Sequence, residues 1–293
     1  MQYSPMGDVF LGSEALAKGE LTEHQLRRWY RTVFRDVYIS KDSELALRDR
    51  IRGAWLRSHR KGVISGVAAS ALHGASWVDV DTPIELISPR LRPQQGLVVR
   101  NETVAPDEIT KIAGLPVTTP ARTAFDLGRY LPRGQAVARL DALTRAAPFS
   151  TEDVLLLAKR YCGARGLKAL RIALPLVDGG AASPRETWLR LLYIDAGLPK
   201  PATQIPIVGA NAQVIRWADM GWDDYMVVSE YDGDQHRARR QYAKDIRALR
   251  QARGLGWIVD QVIKEDRDGA IIKRAWDAMV SRGWRPTSPP RYP

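Results

Sequence analysis

The stretch that decides the fold is "VIRWADMGWDDYMVVSEYDGDQH", residues 214–236. It reads as two apolar strands separated by the turn-like "MGWDD". Each strand ends in acid. Asp219 closes the first, and Glu230 and Asp232 close the second. Residues two apart on a strand share a face, so Glu230 and Asp232 point one way, Ser229 and Tyr231 the other. Paired as an antiparallel hairpin with offset strands, the two segments bring Asp219 to the same end as Glu230 and Asp232. His236, one of four histidines, follows at once. In a chain of formal charge +11, such an acidic strand end is either a solvated turn or a site for a cation.

Converging carboxylates repel, and one takes up a proton unless a cation is present. Oxygen ligands at an open site suit Mg²⁺ or Mn²⁺. Zinc is excluded by spacing, because Cys162 is the only cysteine and the histidines are scattered. A divalent ion beside a basic surface is the arrangement for phosphodiester hydrolysis. The segment that follows supplies such a surface. Residues 237–253 read as a helix with Arg237, Arg239, Arg240, Lys244, Arg247, Arg250 and Arg253 against one acid, Asp245. Its apolar positions fall at helical spacing, which turns the arginines toward solvent and any phosphate there. Upstream, "SPRETWLRLL" opens a helix with Ser183 as cap and Pro184 in the first turn. Glu186 sits at the capping-box position, yet shares a face with Leu189 and Tyr193. A capping role and a role at the site both stay open.

Working outward, 293 residues are enough for two domains. No apolar run nears the roughly 18 residues of a membrane span, and the N-terminus lacks a signal-peptide pattern. A single cysteine fits a reducing, cytoplasmic setting. The balance of 44 basic against 33 acidic residues favours a polyanionic partner, DNA above all. At the front, Ser13 is read as the cap of a short helix. Thr22 and Gln25 form a capping-box pair at the start of a second helix, which carries Arg27, Arg28 and Arg31. The strand-like "VFRDVYIS" comes next. Two readings stand: a winged helix-turn-helix, or a small helical subdomain with a solvated basic face. The segment 62–77 is helix-compatible, with His73 as a structural histidine. "TPIELISP", "GLVVRNETV" and "GLPV" read as strands. Thr119 and Pro120 start a helix in which Arg122 and Asp126 brace tertiary structure. Three helices follow, and "VDGGAASP" (177–184) marks a boundary.

These residues carry two resemblances. Over 180–265, Glu186, Asp219, the "EYDG" at 230–233, His236, Asp245 with Arg247 and the "GLGW" at 254–257 resemble the very-short-patch-repair branch of the PD-(D/E)XK nucleases. The resemblance implies an αβββαβ core with Asp219 and Glu230 as metal ligands. It puts Asp232 where a lysine is usual, and leaves His236 as acid/base or phosphate contact. Glu186 completes the implied catalytic set. Over 8–130, "LGSEALAKGELTEHQLRRWYRTVFRDVYIS", "VISGVAASALHGA" and "GLPVTTPARTAFDL" resemble the AbiEi-type antitoxin domain of type IV toxin–antitoxin systems. That resemblance implies a winged helix, DNA binding and transcriptional autoregulation. Two positions depart from its pattern: Asp36, where glycine is common, and Gly66, where a polar residue is common.

The expected fold is therefore α/β of the α+β kind. An AbiEi-like domain covers 1–145, with the winged helix at 8–45. A helical connector (146–180), a nuclease-like domain (181–285) and a disordered tail (286–293) follow. The expected function is a Mg²⁺- or Mn²⁺-dependent DNA endonuclease or end-processing nuclease in repair or defence. Arg237, Arg240, Lys244, Arg247, Arg27, Arg28 and Arg31 would hold DNA, and the front domain would meet a protein partner. The alternative is a DNA-binding regulator, antitoxin-like, with an inactive nuclease fold. A third reading lets the acidic cluster only brace the fold.

Overall fold

The computed structural model describes residues 9–232 and 239–292, and the side chains of 239–245 fall outside the description. The chain forms two compact units. One is the chain up to Pro132 together with Leu143–Leu174. The other is Arg133–Ala142 together with the chain from Pro175 on. The architecture is mixed α and β, as expected. No described helix is long and apolar enough to cross a membrane.

The first unit starts with β1 (Phe10–Leu11), α1 (Gly12–Ala17), α2 (Glu23–Trp29), β2 (Tyr30–Phe34) and β3 (Val37–Ser40). The strands form an antiparallel sheet in the order β1-β3-β2. Phe10, Leu21, Leu26 and Tyr30 make a small core beneath the two helices. Ser13 is not the cap of α1, because the helix begins one residue earlier, at Gly12. Its cap comes from across the sheet. Asp36 receives the Ser13 amide at 2.9 Å and the Ser13 hydroxyl at 2.5 Å. Asp36 stands at φ +64°, a conformation that favours glycine. Its carboxylate offsets that cost by capping α1, which explains why aspartate is workable at this turn.

Next come α3 (Leu47–Arg57), β4 (Val63–Ser65), α4 (Gly66–Leu72), β5 (Ile84–Ile87), β6 (Leu97–Arg100), β7 (Ile109–Ile112), β8 (Leu115–Thr118) and α5 (Pro120–Tyr130). The sheet order is β6-β5-β4-β8-β7. The helix expected over 62–77 is thus split, with Val63–Ser65 a buried central strand. Gly66 makes the switch from strand to helix at φ +57°. A Cβ there would fall on the Glu85 carboxylate, which accepts the Val67 amide and binds Arg100. Ile64, Leu86 and Val117 of the sheet pack with Ile51 and Ala54 of α3. His73 is structural, its Nε2 2.8 Å from the Thr118 carbonyl.

The helices α6 (Arg133–Ala146), α7 (Thr151–Arg160) and α8 (Leu167–Ala173) follow. Between α5 and its surroundings lies a knot of charge. Arg122, buried, meets Glu108, Asp126 (3.2 Å) and Glu102 (3.2 Å). Arg129 meets the same Asp126 (2.8 Å) and Glu102 (2.9 Å). Burial pushes the Asp126 carboxyl up to about 6 against the pull of Arg122 and Arg129.

The second unit contains α9 (Pro184–Ala196), β9 (Ala202–Val208), β10 (Val214–Trp222), β11 (Val227–Asp232), α10 (Arg239–Gly254), β12 (Ile258–Ile263) and α11 (Asp268–Ser281). This is the helix–three strands–helix–strand succession the sequence predicts. The sheet order is β12-β11-β10-β9, antiparallel except for the parallel pair β11–β12. One face packs on α9 and α11 through Leu189, Tyr193, Met220, Trp222, Ile271 and Ala275. The other packs on α10 through Ile205, Ala218, Val228 and Ala252. The "MGW" of 220–222 is strand rather than turn. The reversal is a short 3-10 helix, Asp223–Tyr225, ending on Met226 at φ +52°. In the tail, the Arg291 amide donates to the Ala196 carbonyl at 3.0 Å.

Arg190 of α9 is fully buried and donates to Asp141 of α6 at 2.6 Å. Asp141 also accepts from the Asp178 amide (2.7 Å) and the Thr187 hydroxyl (2.8 Å). Removing one partner of a buried pair leaves an uncompensated charge, at a cost of about 3–5 kcal/mol. Arg190→Met is expected to lower unfolding free energy by about that amount. The double variant Arg190→Met/Asp141→Leu should lose far less than the sum of the two single changes. Denaturant melts of the four proteins check this as a double-mutant cycle.

Candidate functional site

In the first unit, α2 is the helix that presents charge. Thr22 caps it, receiving the Gln25 amide at 3.3 Å, while Gln25 Oε1 accepts the Thr22 amide at 2.8 Å. Lys41 closes the other end, its Nζ donating to the carbonyls of Arg27 and Arg28 at 2.9 Å each. A lysine there suits the negative end of the helix dipole. Leu26 is the residue α2 buries. Glu23, His24, Arg27, Arg28 and Trp29 stay exposed. Glu23 holds Arg27 at 3.0 Å, a surface pair that a phosphate can replace at small cost. The Arg28 guanidinium lies 4.8 Å from the centre of the Trp29 ring, and Trp29 is 51% exposed.

Arg31 is not on this helix. The chain turns extended at Tyr30, so Arg31 lies in β2 and donates to the Ser43 carbonyl at 2.8 Å. The sequence reading also passed over Arg35, exposed at the β2–β3 turn. Its signal was present: a basic residue directly before the turn between two strands.

In the second unit Asp219 and Glu230 lie on the adjacent strands β10 and β11. The β10–β11 register runs from Trp222↔Val227 to Met220↔Ser229, and one further step along it would set Asp219 opposite Glu230 without an offset. Ser229 and Tyr231 face α9. The Tyr193 and Ser229 hydroxyls are 2.6 Å apart, and the Trp188 and Tyr231 rings meet edge-on at 6.3 Å. Burial pushes the Tyr193 phenol up, so it stays protonated within this bond. Glu230 is on the other face, with Val228.

Asp219 sits where β10 breaks its alternation. Ala218 packs on the α10 side and Met220 on the α9 side, although they are two apart. Across the ladder, the register sets Gln204 against Asp219, and Gln204 has φ +53°. Positive φ in a non-glycine strand residue marks local strain, which structures keep where it re-aims a side chain. Beside it, the Asp219 carboxylate enters the ladder itself. Its Oδ2 accepts the Tyr231 amide at 2.9 Å.

Glu230 is buried and held by an arginine that sequence reasoning missed. Nη2 of Arg216 lies 2.6 Å from each Glu230 oxygen. The signal was a lone basic residue inside the apolar strand "VIRWAD". Asp232 ends β11, paired in register with Ile263. Glu186 holds the capping position. Its carboxylate accepts the Ala182 amide (2.8 Å) and the Ser183 hydroxyl (3.0 Å), while its amide donates to Ser183 (3.2 Å). His236 and Arg237 lie outside the described residues, as do the side chains of Arg240 and Lys244. Arg247, Arg250 and Arg253 are exposed on α10. Among the described residues, no three His, Cys, Asp or Glu side chains gather as a metal-ligand set.

Asp219→Ala is expected to speed hydrogen exchange at the Tyr231 amide and to cost about 1–3 kcal/mol, the price of an unpaired buried donor. Asp219→Asn keeps an acceptor and should restore most of the protection. Exchange measured by mass spectrometry on the three proteins decides this.

Residues 60–176 match the AbiEi antitoxin C-terminal domain. Two uncharacterized proteins of Mycobacterium tuberculosis, one from each of two strains, are each 30% identical to the chain over 244 residues. The match covers 82% of this chain and 86% of theirs. No solved structure matches.

Proposed function

Because the chain belongs to the same family as those two mycobacterial proteins and matches an AbiEi antitoxin domain over 60–176, we propose that it is a DNA-binding, antitoxin-like regulator. The observation that carries this reading is the exposed face of α2. A short second helix of a helix-turn-helix, capped at both ends, presents His24, Arg27 and Arg28 and is followed by a two-stranded wing. In such modules the second helix enters the major groove while neighbouring elements grip the backbone. Arg27 and Arg28 are placed to reach phosphates or guanine edges, and Arg35 at the wing tip to reach the adjacent backbone. Arg31, engaged with Ser43, positions the wing instead. The exposed arginines of α10 add a second basic surface on the other unit.

The test is fluorescence anisotropy with duplex DNA from upstream of the chain's own gene, over a salt series. Binding should fall steeply with salt. Arg27→Ala and Arg28→Ala should each weaken it, and each lost phosphate contact should reduce the log–log slope by about 0.9. Salt-sensitive binding that survives both changes but disappears with Arg247→Ala/Arg250→Ala would move the interface to α10. Absence of binding would end the DNA reading.

A further inference from the structure

The acids of the second unit do not stand as a divalent ion requires. Both oxygens of Glu230 lie 2.6 Å from one arginine nitrogen. One oxygen of Asp219 is bonded to a backbone amide. Both oxygens of Glu186 accept bonds from its own capping turn. Mg²⁺ and Mn²⁺ need carboxylate oxygens turned toward a common centre at short, near-octahedral distances. A guanidinium needs only a planar carboxylate, carries its charge at every working pH, and sheds its water more readily than an ammonium.

We propose that Arg216 is the cation of this site. Its guanidinium, brought in on β10 three residues before Asp219, neutralises Glu230 where a metal would otherwise have to. The acidic pair of adjacent strands then holds together without a bound ion. Arg216 is largely buried, and its Nε and Nη1 find no acceptor among the described residues. Its Nη2 lies equally close to both Glu230 oxygens, which centres its charge on the carboxylate. The inference concerns the second unit alone and stands whether or not the chain binds DNA.

The experiment measures bound Mn²⁺ by electron paramagnetic resonance on the full chain. Wild type, Glu230→Gln, Arg216→Gln and Arg216→Gln/Glu230→Gln are compared, with circular dichroism as the folding control. The expected result is no Mn²⁺ on wild type that Glu230→Gln removes. Arg216→Gln should bind at least tenfold more tightly than wild type, and the double variant should lose that gain. Stoichiometric Mn²⁺ on wild type, abolished by Glu230→Gln or Asp219→Asn, would overturn the proposal and favour a metal-dependent nuclease. Equal affinity in folded Arg216→Gln and wild type would overturn it as well. If Arg216→Gln does not fold, the wild type alone decides. Its thermal midpoint should be unmoved by millimolar Mn²⁺ or by chelator, and an Asp219-dependent rise with Mn²⁺ would refute the assignment.

Discussion

A guanidinium cannot give up its proton to escape burial, so an arginine taken inside must be met by acceptors: Arg50 finds the Val80 and Thr82 carbonyls, and four others draw carboxylates to themselves. Arg122 and Arg129 gather Glu102, Glu108 and Asp126 around α5 in the first unit. Arg190 fixes α9 to Asp141 of α6 in the second. Arg216 pairs with Glu230 on adjacent strands. A buried pair adds little net stability over a hydrophobic equivalent, but a broken one is costly. These contacts therefore act mainly as constraints on register and placement. A shift of α9 by one residue, or of β10 against β11, would strand a charge in the core.

The site in the second unit depends on a second constraint, the break in alternation at Asp219. A regular β10 would direct Asp219 to one face and leave the Tyr231 amide to a backbone carbonyl. Gln204 of the neighbouring β9 stands at positive φ where β10 reverses its faces. The carboxylate then takes the carbonyl's role as acceptor. Met220 and Ala218 thereby serve two different cores, one against α9 and one against α10. The same local device that aims the acid also divides the packing of the unit.

Much of this was legible in the chain. The order of elements after Pro184 follows from apolar runs, capping residues and Gly197. The face assignments of Ser229, Glu230 and Tyr231 follow from period two alone. The capping of α2 and α9 was written in Thr22 with Gln25 and in Ser183 with Glu186. What was not legible came from tertiary partners. Ser13 looked like a cap because its real cap, Asp36, is 23 residues away. Val63–Ser65 looked helical because small residues follow it, yet pairing with β5 and β8 makes it strand. Arg31 looked helical because no residue type marks the point where α2 gives way to β2. Arg216 was passed over because no spacing rule links it to Glu230. The offset assumed for the acidic hairpin vanished once "MGW" joined β10.

Burial of arginine with carboxylate also bears on the basic composition. Buried ion pairs cancel to first order, since Arg122, Arg129, Arg190 and Arg216 each meet a carboxylate. The formal excess of +11 therefore belongs to the surface, spread over fewer exposed charges than the totals of 44 and 33 suggest. A field of that sign draws a polyanion to the whole molecule and does not choose a site. Choice requires a rigid element that presents basic groups without competing acids. Among the described residues α2 does this with Arg27 and Arg28, at the cost of releasing Glu23. The arginines of α10 at 247, 250 and 253 do so as well, spaced to lie along one outward stripe. The short capped α2, followed by the β2–β3 pair, is the element that a groove-reading module would use, whereas the α10 stripe offers only charge along a backbone. On the proposed DNA-binding reading, that difference would put specificity in the first unit, and any contact made by the second would add affinity that salt removes.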